Sequence, residues 1–124
     1  MLKKLLPFLL LPLLMGCAAT MTNLTPRQQV RNANNLYPVE VSFISRQETL
    51  RWETLHPQIA VGNEYYTMRP VMLMTNRWEG LLPVAPGVNI VKYRYKFDFK
   101  YNAFGSQKDD SALSSQYTLK IAEQ

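Results

Sequence analysis

The 124-residue sequence predicts an all-β protein: an antiparallel two-sheet β-sandwich, Ig-like in the broad sense, over residues 36–124. Three observations carry this expectation. From Tyr37 onward apolar and polar residues alternate with a period of two, the pattern of a strand with one face buried. Turn-forming clusters separate such runs, namely "VGNE" at 61–64, "APGVN" at 85–89 and "FGSQKDDS" at 104–111. No helical stripe of useful length competes, and no strand–helix alternation is present that would build a parallel sheet.

Taken in order, the runs near 37–45, 48–55, 58–61, 65–75, 78–84, 89–103 and 114–122 give about seven strands. "YPVEVSF" sets Tyr37, Val39, Val41 and Phe43 on one face. In "TLRWETL" the apolar face is Leu50 and Trp52. Pro86 and Gly87 suit the middle of a type II turn. "KYRYKFDFKY" points Tyr93, Tyr95, Phe97, Phe99 and Tyr101 one way and Lys92, Arg94, Lys96, Asp98 and Lys100 the other. "SQYTLKI" closes the domain with Tyr117, Leu119 and Ile121 inward. The single cysteine excludes an internal disulfide and the Cys…Trp…Cys pattern of true Ig domains.

The N-terminus has a different character. Lys3 and Lys4 precede an apolar run from Leu5 to Met15, then Gly16: the layout of a secretory signal. Eleven helical residues rise only about 16 Å against roughly 30 Å of hydrocarbon, too little for a membrane span. Leu14, Met15, Gly16 and Cys17 stand in an order that resembles the lipobox of bacterial lipoproteins. The resemblance covers residues 1–17. It implies cleavage before Cys17, diacylglyceryl transfer to its sulfur, and, with Ala18 and Ala19 following, sorting to the outer membrane. Acyl chains would hold such a protein because each buried CH₂ contributes about 0.8 kcal/mol. Residues 1–16 thus read as a lipoprotein signal peptide, and residues 17–35 as a lipidated N-terminus and flexible tether. Within the latter, Thr25 and Pro26 also suit the start of a short helix through Val30.

Removing the first 16 residues leaves 108, one domain by size. Without Lys3 and Lys4 the net charge falls from +5 to +3, too mild to argue for nucleic acid. Moreover, the alternation puts the basic and aromatic residues of 92–101 on opposite faces, whereas a stacking platform needs both on one. No catalytic or metal constellation assembles: His56 is alone, Asp109 and Asp110 sit in what reads as a polar loop, and Ser111, Ser114 and Ser115 lack nucleophile motifs. The chain is therefore expected to be no enzyme and to carry no cofactor. "RPVMLMTNRW" is apolar on both faces, which is either an ordinary irregularity of the core or a surface that meets a partner; on the second reading Met72, Met74 and Trp78 are the candidate contacts with a protein partner. The functional expectation is an outer-membrane lipoprotein serving as a non-enzymatic accessory or structural subunit of a cell-envelope assembly of secretion, pilus or appendage type. The alternative is an independent periplasmic binder of a small molecule, glycan or foreign enzyme.

Overall fold

In a computed structural model, residues 19–123 are described, and the signal segment and Cys17 lie outside them. The described residues are all-β, with two sheets packed face to face as a β-sandwich. Among the described residues ten strands follow in order: β1 (Ala19–Asn23), β2 (Gln28–Val30), β3 (Leu36–Ser45), β4 (Leu50–Val61), β5 (Glu64–Thr67), β6 (Arg69–Pro70), β7 (Arg77–Pro83), β8 (Ile90–Ala103), β9 (Ser106–Leu113) and β10 (Tyr117–Ala122). One sheet has the order β1-β3-β7-β6 and the other β2-β10-β8-β4-β5, with β9 also on β8. All pairs are antiparallel except β10 with β2.

The period-two faces of β3, β8 and β10 are the core. Tyr37, Val39, Val41 and Phe43 of β3 meet Tyr93, Tyr95, Phe97 and Phe99 of β8, with Leu119 and Ile121 of β10 beside them, all buried. Phe43 stacks on Phe97 at 4.3 Å between ring centres, which ties the sheets together at mid-length. The expected turn at 85–89 is present: the Val88 N–H donates to the Ala85 carbonyl at 3.1 Å, with Gly87 at φ +84°. Gly80 lies within β7, where an added Cβ would stand 3.0 Å from Ile59 Cδ1, so its side-chain-free face lets the opposite sheet close in.

Residues 19–30 depart from the tether expectation. β1 pairs with β3 from Ala19 opposite Ser45 to Asn23 opposite Val41, and β2 pairs with β10. The reason is a buried polar knot. The Tyr95 hydroxyl donates to Asn23 Oδ1 at 2.6 Å and lies 3.0 Å from Thr25 Oγ1. Asn23 Nδ2 donates to the Tyr93 hydroxyl, and the Glu40 N–H donates to Thr25 Oγ1. Asn23 and Thr25 thus satisfy buried groups on both sheets, which a mobile segment would leave unpaired at a cost of about 1–3 kcal/mol each. Burial also pushes the Tyr95 phenol far above its ordinary pKa.

Two further expectations shift. β4 bulges between Arg51 and His56, so Leu50 is buried while Trp52 turns half outward against the edge of Phe43. Thr54 repairs the ladder there, accepting from the Lys100 N–H at 2.9 Å and donating to the Arg51 carbonyl. Asp109 and Asp110, expected in a loop, belong to strand β9; the turn is confined to Phe104 and Gly105.

Candidate functional site

β3 and β8 run in the same direction, since Phe43 stacks on Phe97 while Tyr95 reaches the Glu40 carbonyl. Their C-terminal ends therefore define one end of the sandwich. Ala19, opposite Ser45, lies there, as do residues 71–76, where the Phe43 N–H donates to the Asn76 carbonyl at 2.9 Å. The β8–β9 hairpin leaves from the same end and continues past it.

The partner candidates divide. Residues 71–74 are no strand: β6 ends at Pro70, and the Val71 N–H closes a loop by donating to the Arg77 carbonyl at 3.0 Å. Alternation restarts only at Arg77, which sends Trp78 inward. Trp78 is accordingly a core residue, edge-on to Phe97 at 5.3 Å and to Phe43 at 6.2 Å, and its assignment to a contact surface is corrected. Met72 and Met74 are exposed, and Leu73 between them, absent from the sequence-derived set, is 98% exposed. Cys17 lies outside the described residues, two positions before Ala19.

The hairpin supplies an element the sequence reading missed. The Ser114 N–H donates to the Tyr95 carbonyl at 2.9 Å, and the Tyr95 N–H to Ser114 Oγ at 2.8 Å. By alternation from this pair, 106, 108, 110 and 112 bond toward β8, while the backbone N–H groups of Gln107, Asp109, Ser111 and Leu113 face away from it, that of Ser111 donating to Asp110 Oδ1 at 2.8 Å. Residues 106–111 are exposed on both faces, and β8 is the only strand paired with β9 among the described residues. Phe104 at the tip is fully exposed with φ +49°. A Phe-Gly pair occupies the two positive-φ positions that hairpin turns ordinarily give to Asn-Gly. That dipeptide, after ten alternating residues, was the available signal.

From Lys96 to Lys100 the charged face of β8 is internally engaged. Lys96 lies 3.5 Å from Asp98 and over the Tyr65 ring at 5.2 Å, Gln58 donates to Asp98, and Lys100 lies 3.7 Å from Asp109. A groove of about 590 Å³ lined in part by Leu24, Pro26, Met68, Arg69, Glu79 and Leu81 is a largely apolar concavity. Its Arg69 and Glu79 pair with each other at 3.0 Å rather than converging on the space. His56 is exposed on β4, and among the described residues no group of three His, Cys, Asp or Glu is placed to hold a metal ion. Compared with protein-family models, curated proteins and solved structures, the chain matches none.

Proposed function

We propose that this chain is a lipid-anchored, non-enzymatic accessory protein of a bacterial cell envelope, held on the outer membrane through Cys17, whose sandwich retains a protein partner belonging to a larger envelope assembly. The observation that carries the partner role is the free edge of β9. A strand with unpaired N–H and C=O groups is a template for another chain, and natural proteins shorten or cover such edges when they are unused. Here the edge is eight residues long and stands on a projecting hairpin. Lys108, Asp109 and Asp110 along it favour a partner strand of matching charge over indiscriminate pairing. The Cys17 anchor is supported by the lipobox-like order of residues 14–17, and confinement to a surface raises the effective concentration of even a weak contact.

The test exploits the ladder parity. Asp109→Pro removes an outward N–H and leaves the backbone bonds to β8 intact, losing only the exposed ion pair with Lys100. The variant is expected to fold and localise as wild type yet lose co-purification of its envelope partner after mild crosslinking. Retention of the same partner would overturn the edge as the contact.

A further inference from the structure

Residues 71–76 and the point where the chain emerges toward Cys17 flank the same end of β3. Ala19 pairs with Ser45 on one side, and Asn76 receives the Phe43 N–H on the other. Two inter-strand spacings, about 10 Å, separate these flanks. From Ala19 to Cys17 is at most about 7 Å of extended chain. A lipid on that sulfur would therefore hold the loop within reach of the bilayer surface.

The loop suits that position. Met72 and Leu73 are 85% and 98% exposed, and Met74 is half exposed. Between Met68 and Trp78 there is no acidic residue, while Arg69 and Arg77 flank the apolar tip. Leu73 is also held at φ +63°, a left-handed backbone that bulky residues rarely adopt. In water the loop would combine backbone strain with maximal apolar exposure. An apolar phase against the tip removes the second of these costs.

We propose that residues 71–76 form a membrane-contact loop that inserts Met72, Leu73 and Met74 at the boundary of headgroups and acyl chains beside the Cys17 lipid, and so fixes the orientation of the sandwich on the bilayer. The proposal rests on the reading of Cys17 as the anchor. Interfacial elements of this kind sink about 5–10 Å, within reach of a loop tip this close to the acylated residue.

The full chain, processed in cells, is reconstituted into vesicles of phosphatidylethanolamine and phosphatidylglycerol. An environment-sensitive fluorophore is carried on Leu73→Cys or, at the opposite end of the sandwich, on Val88→Cys; an acylated Cys17 offers no competing thiol. Aqueous iodide is expected to quench the probe at 73 about fivefold less than at 88, and a lipid-borne quencher to act mainly at 73. Equal iodide quenching at both positions in fatty-acylated protein overturns the loop and leaves the anchor standing. A probe at 73 shielded from both quenchers is covered by protein, which also overturns it. Fatty-acid labelling of the same preparations reads the anchor independently: unlabelled, unprocessed protein removes the anchor, and the loop proposal with it.

Discussion

At the end of the sandwich where β3 begins, Arg31 donates to Glu123 at 2.9 Å and to the Val88 carbonyl at 2.7 Å, while Asn89 bonds both Glu123 and the Ile121 carbonyl. The left-handed positions there belong to Asn35, Gly62 and Gly87, residues that adopt such backbone at little cost. At the end where β3 finishes, two of the left-handed positions belong to Leu73 and Phe104, both fully exposed. Half-exposed apolar residues occur at the first end too, as with Val30 and Ile90, but on regular strands. What separates the ends is local consistency: one set of turns agrees with its residues and the other does not. Local conflict concentrated at one end of an otherwise consistent fold is the pattern expected of a functional or strained end.

The sharpest break between core and surface at the second end comes from Trp78 and Met72. Trp78→Ala should cost about 3–5 kcal/mol in urea denaturation, because it opens a void beneath Phe43 and Phe97, whereas Met72→Ala should stay within about 0.5 kcal/mol. Equal costs would mean that the loop packs on the core.

Next in size is the polar knot that joins β1 to both sheets. Tyr95 has its folded-state pKa raised by burial, so its contribution is fully present below the unfolded value of about 10 and is lost as pH rises above it. Unfolding free energy should fall by about 1.4 kcal/mol per pH unit there, and Tyr95→Phe should flatten that slope. An unchanged slope would show that Tyr95 does not govern alkaline stability.

At the first end the hydrogen bonds from Arg31 hold the Glu123 carboxyl below its usual pKa. A lowered folded-state pKa gives stability that is present above the unfolded value and is lost as pH falls through the folded one. Glu123→Gln should therefore reduce the acid sensitivity of folding, an effect kept small by exposure. Titration curves of the two proteins that coincide below pH 5 or so would remove this pair from the account.

The smallest effects are gains. Leu73→Asn and Phe104→Asn each put a residue tolerant of left-handed backbone where a bulky one now sits, and each should stabilise the isolated domain by about 0.5–1 kcal/mol. A loss on thermal unfolding would show that these side chains serve the fold, and the contrast between the two ends would fail.

The sheets were legible where burial is one-sided. In β3, β8 and β10 the alternation of large apolar and polar residues fixed both strand and face, because a slip of one residue would expose the entire core set. β9 gave no such signal, being polar on both sides through Asp110. The N-terminal segment was illegible for another reason: Asn23 and Thr25 are ordered by Tyr95, about seventy residues away, and no local pattern encodes that contact. Trp78 was misread because four apolar residues in a row imitate a strand, whereas Thr75 and Asn76 just before it mark the loop's end. The bulge in β4, which turned Trp52 outward, rests on Thr54 replacing a backbone partner, a substitution visible only in three dimensions.

The antiparallel pairing of β1 with β3 also has a mechanical consequence. A pull on the chain at Ala19 acts along the strand axis, while the hydrogen bonds of an antiparallel ladder lie perpendicular to it. All five residue pairs from Ala19 to Asn23 are then loaded together in shear instead of parting one by one, and the Asn23 and Thr25 side chains, locked to Tyr95, brace the far end of the strand. The segment that reads as a slack leash is built as a tension-bearing grip.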